Sequence, residues 1–249
     1  MSSYFRIFSV VILLFQLTGC NMCKSNKQEV PTEEEKVEAI RETLKQGLNK
    51  AKNMLSSEKG FFNSDSLKFI FPEEVQSMVK NLKKLPMGNE LVNDAITQIN
   101  QVAESSIKTI APVIDAAIDS MSVEEANRIL LADSAAATAY LEKMSRAPLQ
   151  AACEPIIMQS LDKVIYGDIT IRNTWGTLAD NYNKLADSNV GKVVDLKPVE
   201  VELDEFVTEK ILDAVFYLMA KEEMNIRKHP GVRISKSMAK SFGWIDENK

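Results

Sequence analysis

Histidine is almost missing from this chain, which has one, His229, among 249 residues. Histidine is the usual general base near neutral pH and the commonest protein ligand for metals. A single copy excludes metal sites built on two histidines, and the motif H-E-x-x-H does not occur. His229 itself lies in a turn with Pro230 and Gly231, where a solvated residue is expected rather than a catalyst. We therefore predict no catalytic residues and no metal ligands.

Glycine is also scarce, with nine copies, and no two of them lie within two residues of each other. Phosphate-binding loops need closely spaced glycines, because the backbone must approach the phosphate without a Cβ in the way. Neither G-x-G-x-x-G nor G-x-x-x-x-G-K-[ST] occurs, and the G-x-S-x-G motif of serine hydrolases is absent too. We predict no cofactor. The few glycines and the eight prolines also make the composition favourable for helices.

The N-terminus has the order of a secretory signal. Arg6 precedes a short apolar run at 7–15, which is broken only by Ser9 and is followed by Leu-Thr-Gly-Cys at 17–20. A positive residue, a short apolar run and small residues before the cut are typical of a signal peptide. A membrane span would need about 20 apolar residues, roughly twice this run. Residues 1–19 are therefore predicted to be a signal peptide.

The segment 17–20 resembles a bacterial lipobox, in which the cysteine receives a diacylglyceryl thioether and acyl chains such as palmitate. Cys20 is thus the predicted lipidation site and first residue of the mature protein. Asn21 follows it, whereas the usual residue for inner-membrane retention at that position is Asp. We expect an outer-membrane lipoprotein of the cell envelope that faces the periplasm, with surface exposure as the alternative.

The charge balance is acidic, with 35 acidic and 30 basic residues, of which only Arg6 is lost with residues 1–19. An acidic chain argues against binding to nucleic acid and against electrostatic adhesion to anionic lipid. The expected partners are therefore the membrane, through the N-terminal acyl chains, and an envelope protein or a lipid ligand.

The three cysteines are Cys20, Cys23 and Cys153. Cys20 and Cys23 form a C-x-x-C pattern, but with Cys20 blocked as a thioether this pattern is not expected to be a redox or zinc motif. Cys153 lies in a helical pattern, which favours a small buried hydrophobic residue. A disulfide between Cys23 and Cys153 in an oxidising periplasm is the alternative that stays open.

Apolar residues recur at spacings of three and four through most of the mature chain, and no alternation of strands and helices is visible. We predict an all-α fold, an irregular multi-helix bundle with at most one short extended segment near 68–71. The lipidated cysteine and a flexible tether form 20–33. The helical domain covers 34–243, opens with a capping box between Thr32 and Glu35, and is followed by a tail at 244–249.

Two prolines are expected to interrupt helices, because proline lacks the N–H donor and its ring clashes with the preceding turn. Pro112 should kink or end a long helix, and Pro148 should start a new one. The most apolar helix is expected at about 203–224.

Several segments resemble the bacterial family known as domain of unknown function 4197. The resemblance spans about residues 37–243 and is most specific near the C-terminus. The matching segments are 124–130, 136–140, 206–217, 220–223 and 226–230, with shorter ones at 60–62, Arg233 and 240–243. Ala214 departs from the family pattern, which has Gly before the apolar pair. Members look like exported, usually helical lipoproteins, so the resemblance implies a helical fold and an envelope location, and it brings no activity.

One polar cluster stands beside the most apolar helix, and its members are Glu222, Glu223, Arg227 and Arg233. Glu223 and Arg227 are four residues apart, in the favourable order for an ion pair on one helix face. The favoured interpretation is a structural ion pair that fixes the last helix. The alternative is a ligand site, in which Arg227 and Arg233 bind an anionic headgroup or a glycan carboxylate through forked hydrogen bonds.

Three classes of function are compatible with the sequence. The first is a non-catalytic envelope lipoprotein that acts as a scaffold or a partner-binding module. The second is a periplasmic binder or carrier of a lipid or another apolar ligand, suggested by helices rich in Met and Phe. The third is a hydrolase that uses carboxylates alone. An exposed apolar surface on a solid core would favour the first, an apolar cavity of about 300 Å³ or more the second, and a cleft with two strongly shifted carboxylates the third.

Overall fold

The computed structural model describes residues 29–61, 67, 73–84, 86, 88–122, 124, 126–132 and 135–248. Within these residues the chain folds into nine α-helices and one small β-hairpin. The helices are α1 (Glu33–Leu55), α2 (Glu73–Leu82), α3 (Gly88–Ser120), α4 (Ala126–Leu131), α5 (Ala136–Leu161), α6 (Ile171–Asp187), α7 (Asn189–Val193), α8 (Leu203–Lys228) and α9 (Lys236–Asn248). The prediction of an all-α fold is confirmed.

Helix α1 begins where the capping box predicts. The Glu35 N–H donates to the Thr32 hydroxyl (3.2 Å), and the Thr32 N–H donates to the Glu35 carboxylate (2.8 Å). These two bonds satisfy donors that have no partner inside the helix. Pro31 is buried and Glu33 is already helical. The folded domain therefore begins a few residues before the predicted end of the tether at residue 33. Residues 1–28, including the predicted signal peptide and Cys20, lie outside the described residues.

Helix α8 is the centre of the bundle and packs against α1 and α5. Its apolar residues are buried on several sides, as expected for a helix surrounded by others, and they include Phe206, Ile211, Phe216 and Met219. Gly47 of α1 allows the two backbones to approach closely, because a Cβ there would lie 3.1 Å from the Met219 Cα. All but two of the buried apolar residues that the structure describes form one continuous core, the two being Val92 and Ala186.

Neither Pro112, which was predicted to kink or end a helix, nor Pro148 forms a helix boundary in the structure. Helix α3 continues through Pro112, and α5 continues through both Pro148 and Pro155. Pro148 therefore starts no helix, and the expectation for it was wrong. The buried face of α5 continues past Pro148, with Leu141 and Ser145 before it and Leu149 and Cys153 after it, so the tertiary contacts outweigh the hydrogen bond that the proline cannot make.

A small antiparallel hairpin joins α5 to α6, with strands β1 (Val164–Tyr166) and β2 (Ile169–Thr170). Gly167, at φ +57°, makes its tight turn. At most one extended segment was predicted, near 68–71, and the hairpin corrects this prediction. Strands of three and two residues are too short to show an alternating pattern in the sequence. Residues 68–71 lie outside the described residues.

The predicted tail is also corrected, because α9 runs to Asn248. Ile245 is 5 % exposed and continues the buried stripe of Met238 and Phe242. Residues 244–248 therefore belong to the helix. None of the described helices is long and apolar enough to cross a bilayer.

Candidate functional site

The four residues of the predicted cluster lie around the C-terminal end of α8, but they do not form one site. Glu223 and Arg227 face α4 and α5, Glu222 faces α1, and Arg233 faces the last turn of α8 and α9. Each side chain therefore ties α8 to a different neighbour.

Glu223 closes the N-terminal end of α5. Its carboxylate accepts from the N–H groups of Ala137 (3.0 Å) and Thr138 (2.8 Å) and from the Thr138 hydroxyl (2.8 Å). The N-cap residue Ala135 has no side chain that could do this. Glu223, which belongs to α8, thus takes the place of the N-cap side chain that α5 lacks. Its negative charge lies at the positive end of the α5 dipole.

Arg227 closes the C-terminal end of α4. Its guanidinium donates to the carbonyls of Ile129 (2.8 Å), Leu130 (2.9 Å) and Ala132 (2.8 Å), and to the Glu223 carboxylate from Nε (3.0 Å) and Nη2 (2.7 Å). A guanidinium has five N–H donors, and the five are used here. The pair is buried, with side-chain exposures of 9 % for Arg227 and 1 % for Glu223.

Arg233 closes the end of α8 and bridges it to α9. It donates to the carbonyls of Ile226 and Arg227, both at 3.1 Å, and lies 2.8 Å from the Asp246 carboxylate. The guanidinium carbons of Arg227 and Arg233 lie 5.4 and 5.5 Å from the centroid of the Phe242 ring. These are cation–π distances, so Phe242 connects the two arginines.

Glu222 binds α1 rather than the arginines. It accepts from Gln46 (2.9 Å), from Asn225 (3.2 Å) and from Lys50. Burial alone would raise the pKa of its carboxyl, but the hydrogen bonds from Lys50, Gln46 and Asn225 outweigh burial and hold the pKa below its ordinary value.

The contacts favour the structural interpretation of the cluster. A ligand oxyanion needs donors that are not already used, and Arg227 offers none. Arg233 is 2 % exposed in its side chain, so a ligand would have to displace contacts that join α8 and α9. His229, whose Nδ1 lies 3.1 Å from the Asn225 carbonyl, sits exposed at the end of α8.

The structure brings together two surfaces that the sequence analysis missed. The first, which we call the α3/α5 groove, has a volume of about 500 Å³. It is lined by Val113, Ala117, Ser120, Met121, Ser122, Glu124, Tyr140, Leu141, Met144, Ser145, Pro148 and Leu149. Met144 is the one signal that could have indicated it, because this large apolar side chain lies off the buried stripe of α5 and is 61 % exposed.

The second surface, which we call the Tyr182 cavity, has a volume of about 530 Å³ and lies between α2 and the segment after α7. It is lined by Ser77, Lys80, Asn81, Lys84, Tyr182, Val194, Asp195, Leu196 and Lys197. Sequence spacing placed Tyr182 only in the apolar stripe of a helix, and nothing local connects it to lysines about a hundred positions earlier.

One carboxyl group, Glu104, has a raised pKa, because burial disfavours its charged form. The backbone N–H groups of Lys59, Gly60 and Phe61 hydrogen-bond to it and partly offset that effect. These contacts tie the turn after α1 to α3. The described residues contain no group of three or more His, Cys, Asp or Glu residues that could hold a metal ion.

Cys153 is completely buried and has a free thiol. Its burial raises the pKa of the thiol to about 11. This placement agrees with the interpretation as a small buried hydrophobic residue. Cys20 and Cys23 lie outside the described residues.

A family model described as "Protein of unknown function (DUF4197)" matches residues 30–243. The chain belongs to this family. The DUF4197 match covers α1 to α8 and most of α9, and so contains the pair of Glu223 with Arg227, the groove and the cavity described above, whereas Asp246, the partner of Arg233, lies beyond it. No curated protein and no solved structure matches the chain.

Proposed function

We propose that this protein is a lipid-anchored, non-catalytic module of the cell envelope that binds a partner protein through the α3/α5 groove. The observation that carries the proposal is the apolar character of the groove. Leu141 and Leu149 form its buried floor, at 1 % and 3 % exposed, while Met144 rises exposed at its rim. A contiguous apolar surface with a polar edge is typical of an interaction site.

The polar side chains in the groove support the same conclusion. The Tyr140 hydroxyl donates to the Ser122 carbonyl (2.9 Å), Ser145 to the Leu141 carbonyl (2.6 Å), and Ser120 to the Ala117 carbonyl (3.1 Å). Because these hydroxyls donate to the backbone of the groove itself, a binding partner meets mainly carbon atoms. Met121 and Met144 add unbranched side chains that adapt to the shape of a partner.

The charge of the chain suggests what the occupant is. Glu124 lines the groove, and the whole chain has a net charge of −5. A partner segment with apolar side chains inside the groove and basic residues beside it would complement this surface. We therefore propose an apolar segment of an envelope protein with basic flanks as the occupant.

The predicted anchor limits where that partner lies. Cys20 is nine residues before Glu29, the first described residue. At about 3.3 Å per residue this segment reaches at most about 30 Å. With Cys20 lipidated, the groove stays near the membrane, so the partner is expected to be a membrane-associated protein of the outer membrane or the adjoining periplasm.

Site-specific photo-crosslinking in the bacterium that produces the protein tests the groove. A photoreactive amino acid replaces Met144, and in a matched control it replaces Val193, which is 85 % exposed and lies outside the groove. We expect one protein adduct from position 144 and none from position 193. In pull-downs with the partner so identified, Met144→Asp should weaken binding about tenfold or more, and Val193→Asp should leave it unchanged. Equal adducts at both positions, or none at position 144, would contradict the proposal.

A carrier of apolar ligands is the second candidate, because the volume of the groove, about 500 Å³, lies in the range of small-molecule sites. The same experiment separates the two, since a carrier gives lipid adducts at position 144 in place of a protein adduct.

The anchor is tested on its own by Cys20→Ser, which should abolish labelling with radioactive palmitate. Unchanged labelling would end the lipoprotein interpretation.

A further inference from the structure

The Tyr182 cavity has a wall that the fold holds firmly. The Asn183 side chain makes two hydrogen bonds with the backbone of Val199, one to the carbonyl (2.9 Å) and one from the N–H (2.8 Å). The Leu196 N–H donates to the Gly191 carbonyl (2.9 Å). A Cβ at Gly191 would lie 2.2 Å from the Leu185 carbonyl oxygen, so only glycine fits there. The segment 194–199 is thus fixed beside α6.

The lining of the cavity is basic, although the chain as a whole is acidic. Lys80, Lys84 and Lys197 face one carboxylate, Asp195. Within the described part of the chain, Lys80 and Lys197 have no side-chain hydrogen bond or ion pair, and Lys84 donates to the Asn81 amide oxygen (3.0 Å). With three ammonium groups and one carboxylate in the lining, positive charge exceeds negative charge at this place.

Tyr182 indicates a ligand in this cavity independently of the lysines. It lines the cavity, its side chain is 2 % exposed, and its hydroxyl has no hydrogen-bond partner among the described residues. A buried hydroxyl without a partner is unfavourable, and such groups are rare in folded proteins. An acceptor atom brought in by a ligand would satisfy it.

We propose that the Tyr182 cavity binds a phosphate-bearing ligand. Phosphate oxygens accept from the Tyr182 hydroxyl and from the lysine ammonium groups, which are common phosphate binders. The volume of about 530 Å³ leaves room for more than the phosphate, and Val194 and Leu196 provide apolar contacts for the rest of the ligand. A soluble phosphate ester and a phospholipid headgroup share this chemistry. The site shares no lining residue with the α3/α5 groove.

Calorimetric titration and amide chemical shifts test the site in the full chain, purified as the cell processes it and held in uncharged detergent micelles. Pyrophosphate represents the soluble source, and phosphatidylglycerol added to the micelles represents the headgroup. We expect saturable binding of at least one probe, with shifts concentrated at 194–197. Tyr182→Phe should weaken that binding about tenfold without lowering Tm, because it removes a hydroxyl that has no partner in the free protein.

The triple variant Lys80→Gln, Lys84→Gln, Lys197→Gln should lose binding. The matched control is Lys52→Gln with Lys108→Gln, since both lysines line a different cavity, and it should bind as the unchanged chain does. Binding of pyrophosphate points to the soluble source, and binding of phosphatidylglycerol alone points to the headgroup. No saturable binding of either probe, unchanged binding in Tyr182→Phe or in the triple variant, or an equal loss in the control would overturn the proposal.

Discussion

Replacing Arg227 by alanine should strongly destabilise the fold, because this charged side chain is buried and all its donors are used. The substitution leaves Glu223 buried without its counter-charge and removes the donors from the three carbonyls at the end of α4. The end of α4 therefore loses its donors, and the carboxylate that caps α5 loses its counter-charge, in one step.

The magnitude follows from the contacts. Removing one partner of a buried ion pair typically costs about 3–5 kcal/mol. Glu223 keeps three donors from Ala137 and Thr138, which moves the cost towards the lower end. The carbonyls of Ile129, Leu130 and Ala132 add a loss, so we expect about 4 kcal/mol in total. This is a large share of the roughly 5–15 kcal/mol by which domains are stable, and it corresponds to a fall in Tm of about 8–16 °C.

Urea denaturation followed by far-ultraviolet circular dichroism measures this cost. Arg146→Ala is the matched control, because Arg146 also pairs with two carboxylates but is 32 % exposed in its side chain. It should cost no more than about 1 kcal/mol. Glu223→Gln completes a double-mutant cycle with Arg227→Ala, and the double variant should cost less than the sum of the two single ones.

Two results would refute this reasoning. A cost for Arg227→Ala that is no larger than that for Arg146→Ala would mean that the buried pair contributes little. If the variant also lost an anionic ligand that the unchanged chain binds, the alternative interpretation of the cluster as a ligand site would be right.

Three further outcomes are expected. Phe216→Ala should cost about 3–5 kcal/mol in urea denaturation, because this ring is 3 % exposed in the centre of the bundle. The pKa of Glu222 is lowered in the fold, so its contribution to the unfolding free energy is present above its ordinary pKa of 4.5 and is lost as the pH falls through the lower value in the folded protein. Glu222→Gln should reduce that acid dependence as the pH falls below 4.5. Cys153, with a pKa of about 11, should resist alkylation by iodoacetamide at pH 7 until urea unfolds the protein, since the thiolate is the reactive form.

Each of these has a clear contrary result. Tyr217 lies on the same helix but is 44 % exposed, so Tyr217→Ala should cost much less than Phe216→Ala. Equal costs would mean that α8 is not the centre of the core. An unfolding free energy with the same pH dependence in Glu222→Gln would contradict the lowered pKa. Mass spectrometry that finds Cys153 alkylated in the folded protein would contradict its burial.

The sequence by itself determined the helical class and the local geometry of several helix ends. Apolar residues at spacings of three and four define helix faces wherever they occur, because the helix brings those positions together. The capping box at Thr32 and Glu35 and the pairing of Glu223 with Arg227 span three and four residues, so neighbouring backbone alone brings their atoms together. These features were predictable without knowledge of the rest of the chain.

Only the tertiary structure decided what those local features contact. Spacing paired Glu223 with Arg227, but it could not show that the pair closes the ends of α4 and α5, which lie far away in the chain. Packing also carried α5 through Pro148, against the local preference of proline, and extended α9 beyond Gly243 through Ile245. Tyr182 and the lysines of α2 meet because helices of the bundle lie side by side, and contacts of this kind follow from the mutual burial of whole helix faces, which no spacing within one segment encodes.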